Sequence, residues 1–320
     1  MTSQSASTPC IPIMIDTDIG EDLDDLLMLS VALNSPEFEI LAVTTVDGDT
    51  DARSRIARRM TAAYGQGHIP VCAGYRRSMP QDNSPIEPGL SITQGAVAPT
   101  EEGLPPACGL DAADLIAKIA ADRPGEVSLI NVGAMTNTGQ ALVKHPETAK
   151  NLKAIVFPAV LAEMGTERFI DWNFWYDPVA AAVVARSDAN WILVSWSICK
   201  GLGPDMEQAR QIAGMGLETT DLITLAIAEW RKNKPEVKPD TTPHGADLKA
   251  LAYLLGEADV TTTRGRAEVT VAPRGKGADL RVVEDSEGPH TLAWSLAPER
   301  AEQLHELFVQ RLMSPPYAKA

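Results

Sequence analysis

The fold is decided by residues 11–25, which read IPIMI followed by DTDIGEDLDD. The first five residues are apolar and end abruptly at Asp16, a pattern that predicts a short buried strand of a parallel sheet. Five aspartates fall within the next ten residues, which we call the acidic run (residues 16–25). Because open α/β sheets bind ligands at the carboxyl ends of their strands, the acidic run is expected to form a site at that edge.

A divalent-metal site is the interpretation that this composition favours. Asp16 and Asp18 fall where the strand ends, Asp24 and Asp25 where the next helix begins, and Gly20 permits a tight turn between them. Carboxylates that close repel one another unless they are protonated or bound to a cation, and all-oxygen sites suit Ca²⁺ or Mg²⁺. Capping a helix would need only one or two of them.

Strand and helix patterns alternate along most of the chain. Further strands are predicted at 38–45, 69–74, 127–132, 153–158 and 191–195. Helices are predicted at 24–33, 51–64 (with Arg53, Arg55, Arg58 and Arg59 mostly solvated), 111–122, 136–146 and from Asp177, and a long loop at 75–110. This order predicts an α/β fold, a mostly parallel central sheet with helices on both faces.

The C-terminal third is predicted to add helices and a small strand pair. The helices are expected at 218–232, 247–255 and 297–313, and the strand pair within 259–285. No internal repeat or linker separates two cores. We therefore expect a disordered tail at 1–10 and a single domain at 11–314.

Composition narrows the classes of function. The chain has 320 residues, 44% of them hydrophobic, and a net charge of −15, which argues against nucleic acid or an anionic membrane surface as partner. No apolar run approaches the ~18 residues of a membrane span, and the first nine residues do not resemble a signal peptide. The four cysteines are far apart and predict reduced thiols in a cytoplasmic protein.

Two enzyme classes fit an Asp-x-Asp sequence after a strand. One is Mg²⁺-dependent phosphoryl transfer with the first aspartate as nucleophile, and the other is hydrolysis by a metal-activated water. A phosphohydrolase of the first kind also needs a second acidic pair at a strand end. The downstream candidates Asp171, Asp177 and Asp247 form no such pair, which disfavours it.

Four motifs follow one another along the chain: the acidic run itself, 129–137 (LINVGAMTN), 171–181 (DWNFWYDPVAA) and 247–252 (DLKALA). In this order they resemble the motifs of the nucleoside hydrolases of the inosine–uridine-preferring type. Members of that family are calcium-dependent enzymes that cleave the N-glycosidic bond of ribonucleosides to base and ribose. The resemblance covers about residues 11 to 313 and implies a nucleoside N-glycosyl hydrolase, commonly a homodimer or homotetramer.

The resemblance also implies a role for each matching position. Asp18 would bind calcium and take a proton from the attacking water. The remaining calcium ligands would be Asp25, the Val132 carbonyl and Asp247. Asp24 and Asn173 would bind the ribose hydroxyls, with Asn173 also counted among the catalytic residues. Asp16 would support the ligands from behind, as would Asp22, which lies in a two-residue extension that some members show.

Several positions depart from the family pattern on the side of the substrate. Ala246 replaces the usual histidine beside the last ligand, and His244 is the candidate to replace it in catalysis. Asp171 stands where the family has a glutamate at the ribose 5′ end, and Asp49 where it has an asparagine. Trp172, in the aromatic segment around 169–176, is a candidate to stack on the base.

These departures keep a third possibility open beside the hydrolase and the phosphohydrolase. A non-catalytic protein that binds nucleosides through a metal would also retain the ligands and lose the leaving-group residue.

Overall fold

The computed structural model describes residues 10–79, 94–98, 100–159, 171–198, 202–234, 238, 241, 245–271 and 278–317. Among these residues the strands form one nine-stranded sheet, in the order β3-β2-β1-β4-β5-β6-β9-β7-β8. The strands are β1 (Ile11–Thr17), β2 (Phe38–Thr45), β3 (Val71–Ala73), β4 (Ser128–Asn131), β5 (Ala154–Phe157), β6 (Trp191–Val194), β7 (Val260–Val271), β8 (Ala278–Glu284) and β9 (His290–Leu296).

Eight helices of the described residues match predicted ones, and the fifth, sixth and eighth in chain order are not predicted. The helices are α1 (Asp24–Leu33), α2 (Thr50–Ala63), α3 (Ala112–Asp122), α4 (Thr136–Lys144), α5 (Thr148–Asn151), α6 (Trp172–Tyr176), α7 (Pro178–Arg186), α8 (Met206–Ala213), α9 (Glu218–Asn233), α10 (Leu248–Gly256) and α11 (Pro298–Met313). Two apolar cores lie on the two faces of the sheet, with Ile13 and Ile15 of β1 in one and Met14 in the other. Because successive side chains of β1 point into the two different cores, this strand lies between them.

The predicted α/β class with a mostly parallel sheet is confirmed. Every pairing from β3 across to β9 is parallel, whereas β7 pairs antiparallel with both β9 and β8. Sequence analysis missed β9, and with it the fact that the C-terminal strands continue the central sheet. The reason is the long sequence separation between β6 and β9, which pair through Ile192 and Thr291.

Two local predictions are wrong. Arg53 is fully buried and Arg58 nearly so, although a helix of this polar composition predicts solvated arginines. Cys72 and Cys108 form a disulfide, where the spacing predicts separate reduced thiols. The chain after the long loop returns beside β3, and the Cys108 amide donates to the Val71 carbonyl at 2.9 Å, which brings the two cysteines together.

Of the helices in the described part of the chain, none combines the length and apolar character that crossing a bilayer requires.

Candidate active site

The acidic run leaves β1 at the carboxyl edge of the sheet and turns into α1. Asp16 and Thr17 are the last strand residues, and Asp24 is the first residue of α1. Gly20 has a φ of 116°, a value that disfavours other residues, so it allows the turn between strand and helix. The Thr17 hydroxyl donates to Asp25, which fixes that carboxylate at the start of α1.

The neighbouring strand β4 supplies the other wall of this edge. Asn131 pairs with Asp16 across the two strands, and the Val132 amide donates to the Asp16 carbonyl at 2.8 Å. The next segment of the site is α6, where the Asn173 side-chain amide donates to the Val132 carbonyl at 2.7 Å. Asp247 reaches the same place from the N-terminal end of α10.

A cavity of about 310 Å³ opens between these elements, within the size range of small-molecule sites. Its lining consists of Asp18, Glu21, Asp22, Asp24, Asp25, Val132, Trp172, Asn173, Lys234 and Asp247. Six of these ten residues carry carboxylates. The cavity is therefore suited to a ligand that is cationic or that arrives with a cation.

Three of the carboxylates lie close enough to share one ion. Oxygen atoms of Asp24, Asp25 and Asp247 lie within 4.8 Å of one another. Burial raises the pKa of both Asp25 and Asp247 well above the usual range, and repulsion from the neighbouring carboxylates raises it further. A hard divalent cation would remove this penalty, so the residues fit such an ion.

Asp18 lines the same cavity as these three carboxylates, and two opposing effects act on its pKa. Burial raises its pKa, while the nearby Arg53 guanidinium lowers it. Arg53 also donates to the Asp18 carbonyl from beneath the acidic run.

Asp16 lies fully buried behind the cavity. Its Oδ1 accepts hydrogen bonds from Thr44 and Asn137, each at 2.7 Å. Its Oδ2 has no hydrogen-bond partner among the described residues. Burial raises the pKa of this carboxyl to about 7, and the two hydrogen bonds oppose that rise.

The structure brings together most of the residues that the sequence selects, and leaves two outside. Asp49 does not line the cavity; it caps α2 by accepting from the Ala52 amide at 3.1 Å, so a ribose contact is not supported by its position. Asp171 likewise caps α6 through the Asn173 amide at 2.9 Å. His244 lies outside the described residues.

The aromatic segment divides between core and cavity. Phe174 is fully buried and stacks on Phe157 with ring centroids 5.0 Å apart. Trp172 is 57% exposed, lines the cavity and stacks on Trp175 at 4.8 Å. Among the described residues of this segment, Trp172 is therefore the aromatic side chain that a base in the cavity could contact.

Three residues of the site escape sequence analysis. Glu21 and Lys234 line the cavity, and Asp47 lies buried at the end of β2 with a φ of 69°. Burial raises the pKa of Asp47 to about 6, opposed by a hydrogen bond from Tyr176 and by the charge of Arg53. Nothing in the local sequence of Lys234 distinguishes it from Lys232, the exposed lysine of α9.

A carboxylate-lined cavity at the carboxyl ends of parallel strands is typical of enzymes that hold a small polar substrate beside a divalent metal. Comparison with known proteins identifies which ones. The sequence profile of the inosine-uridine preferring nucleoside hydrolases matches residues 13–303, and the chain belongs to this family. It is accordingly an N-glycosyl hydrolase of a metal-dependent family that converts ribonucleosides to base and ribose.

Named relatives agree with this assignment. The chain is 33% identical over 226 residues, 68% of each chain, to a pyrimidine-specific ribonucleoside hydrolase of Photobacterium profundum. It is 29% identical to one of Enterobacter sp., over 86% of this chain and 88% of the relative.

Solved structures show the same fold. A plant nucleoside hydrolase superimposes with a TM-score of 0.77 at 19% identity, over 96% of this chain and 100% of its own. A purine-preferring ribonucleoside hydrolase from Gardnerella vaginalis superimposes with a TM-score of 0.74 at 21% identity, over 94% and 99%.

Proposed function

We propose that the protein hydrolyses the N-glycosidic bond of a ribonucleoside, or of a related N-ribosyl compound, with Ca²⁺ as its metal. The choice of metal site rests on one observation. The carboxylate oxygens of Asp24, Asp25 and Asp247 lie close together, in the cavity that Asp18 also lines. Calcium accepts six to eight oxygen ligands in flexible geometry, which suits several carboxylates together with the Val132 carbonyl. Asp18, Asp25, Val132 and Asp247 are the proposed ligands.

Asp18 is the proposed base. Its raised pKa brings it closer to the range in which a carboxylate can take a proton from water at neutral pH. When bound, the cation supplies positive charge that lowers the pKa of the attacking water. The carboxylates around the cavity then stabilise the positive charge that develops on the sugar as the bond to the base breaks.

Asp24 and Asn173 are the proposed ribose contacts. The side-chain amide nitrogen of Asn173 donates to the Val132 carbonyl, while its Oδ1 is buried without a hydrogen-bond partner among the described residues. An unpaired buried acceptor is costly, and a ribose hydroxyl would satisfy it. Trp172 at the rim offers its ring to the base.

The test is a panel of purine and pyrimidine ribonucleosides assayed for released reducing sugar. We expect activity that a chelator abolishes and that added Ca²⁺ restores better than Mg²⁺. Asp247→Asn should lose most of the activity, while Asp122→Asn, which alters an exposed carboxylate paired only with Lys118 across one turn of α3, should keep it.

Each alternative has its own outcome in this assay. Release of phosphate from phosphate esters, without release of ribose, would establish the phosphohydrolase instead. Nucleoside binding with no sugar released by any member of the panel would establish the non-catalytic protein. Restoration by Mg²⁺ as well as by Ca²⁺ would leave the hydrolase standing and refute the choice of calcium.

We also propose that the protein is a homodimer or homotetramer, as the family resemblance implies. Light scattering coupled to size exclusion measures this, and a monomeric mass across the working concentration range would refute it.

A further inference from the structure

Lys234 is the one cationic side chain among the described residues that line the cavity. It follows the last residue of α9 and is 19% exposed, so most of its side chain is covered. The six carboxylates around it make this position unusual. A nucleobase that departs with the electron pair of its glycosidic bond carries negative charge, and every carboxylate in the cavity opposes that charge.

The ammonium group is held in place by Asp22, which also lines the cavity. Lys234 Nζ lies 2.9 Å from Asp22 Oδ1, and Trp230 Nε1 donates to that same oxygen at 2.9 Å. The backbone of Asp22 is fixed in turn, because the buried Gln94 side chain donates to its carbonyl at 2.6 Å.

The side-chain donors of Asn173, Arg53 and Lys249 are not available to the departing base. The Asn173 amide donates to Val132, and Arg53 lies fully buried beneath the acidic run. Lys249 is buried against the Trp196 ring at 4.5 Å and does not line the cavity. Ala246, beside the proposed ligand Asp247, has no polar side chain.

We infer that Lys234 contacts the departing base and stabilises its negative charge, and that Asp22 is the positioning residue that orients it. This inference rests on the proposed function. In the step concerned, water adds through its oxygen to the anomeric carbon and loses a proton to Asp18. The electron pair of the C–N bond leaves with the base, whose charge the Lys234 ammonium offsets by a hydrogen bond, and solvent returns a proton to the base.

The experiment compares two kinds of ribosyl substrate. The first is the best ribonucleoside of the panel, whose base is a poor leaving group. The second is p-nitrophenyl ribofuranoside, whose nitrophenolate departs without a hydrogen-bond donor. Lys234→Met is assayed on both, beside Lys232→Met, which removes an exposed lysine two residues earlier on α9 that is paired only with Glu229.

We expect Lys234→Met to lower kcat on the nucleoside by about 10²-fold, the usual cost of removing a positioned donor, and to leave kcat on the nitrophenyl riboside nearly unchanged. Lys234→Arg should restore part of the loss. Asp22→Asn should show the same substrate selectivity with a smaller loss in kcat. Lys232→Met should match the wild-type protein on both substrates.

Equal losses on the two substrates, or no loss on either, would refute the role of Lys234 while leaving the hydrolase intact. A selective loss in His244→Gln and not in Lys234→Met would assign the leaving base to His244 and also refute it. A wild-type protein that cleaves neither substrate would remove the proposed function itself. The retained activity on the nitrophenyl riboside shows that each variant is folded.

Discussion

Arg53 lies fully buried beneath the acidic run and ties it to α2. Its Nε donates to the Asp47 carbonyl at 2.8 Å, and its Nη1 donates to the carbonyls of Ile19, at 3.1 Å, and Asp18. Nη2 lies 3.8 Å from the carboxylates of both Asp47 and Glu21. One side chain therefore holds two segments of the site and offsets part of their negative charge.

Replacing Arg53 with Met keeps the apolar bulk of the side chain and removes every donor. Three carbonyls lose a donor, and the buried Asp47 carboxylate loses its cation. Breaking a buried charge pair typically costs about 3–5 kcal/mol, and each carbonyl left unpaired adds to this unless the acidic run shifts towards water. We expect a loss of about 4 kcal/mol in the free energy of unfolding, a large part of the ~5–15 kcal/mol of a typical domain.

The assay is urea unfolding at neutral pH in the presence of a chelator, so that metal binding does not add to the stability measured. Arg55→Met is the matched control, because Arg55 lies on the same helix and, among the described residues, contacts the exposed Glu101, at 4.0 Å, and the Ala98 carbonyl, at 3.4 Å. It should cost less than about 1 kcal/mol. Arg53→Lys should fall between the two, since lysine keeps the charge but not the fork of donors.

A loss for Arg53→Met no larger than that of the control would refute this reasoning. It would mean that the carbonyls and Asp47 find water or other partners at little cost.

Three further predictions concern the same site and the sheet beside it. Asn137→Ala removes the buried amide that donates to Asp16, and should cost roughly 2–4 kcal/mol in urea unfolding. Burial lowers the pKa of His290 to about 4 in the folded protein, whereas a histidine in the unfolded chain titrates near about 6.5. Between these two pH values only the unfolded chain binds the extra proton, so the free energy of unfolding decreases by about 3 kcal/mol in all as pH falls from about 6.5 to 4. His290→Gln should flatten this part of the plot of stability against pH. Because the pKa values of Asp25 and Asp247 are raised, Ca²⁺ competes with protons for these two carboxylates. Calorimetry should therefore show tighter Ca²⁺ binding at pH 8 than at pH 6, with proton release at the lower pH.

The controls and contrary results for these three are distinct. Thr138→Ser, a mild change beside Asn137 on α4, serves as the control for the first, and an Asn137→Ala protein as stable as this control would contradict it. An unchanged slope of stability against pH in His290→Gln would contradict the second. Calcium binding with the same affinity at both pH values and without proton release would contradict the third.

Much of the metal side of the site can be predicted from sequence because it is local. The apolar run that ends at Asp16 and the helix that begins at Asp24 fix where the acidic run lies, since parallel strands present their carboxyl ends together. Asp177 followed by Pro178 also predicts the start of α7 correctly, and the structure shows the cap, with the Ala180 amide donating to Asp177 at 2.9 Å. These patterns depend only on residues that are close in sequence, so they can be recognised without knowledge of the rest of the chain.

The substrate side depends on contacts between distant segments. Asp49 and Asp171 are predicted from the family resemblance to lie near the ribose, yet each side chain accepts a hydrogen bond at a helix N-terminus, where backbone amides compete for it. No pattern in the sequence shows whether such an aspartate caps a helix or faces a cavity. That choice depends on the path of the surrounding loops.

By itself, the sequence determined the α/β class, the edge of the sheet at which the site lies and the aspartates of the acidic run that gather there, because strand and helix periodicity and strand ends are properties of short segments. Only the tertiary structure decided that Arg53 is buried under the acidic run, that β9 joins the sheet beside β6, and that Lys234 meets Asp22. Trp230, which shares that carboxylate, is 208 residues from it along the chain. Groups so far apart in sequence are brought together by the packing of α9 against α1 and α2, and packing is a property of the whole core rather than of any one segment.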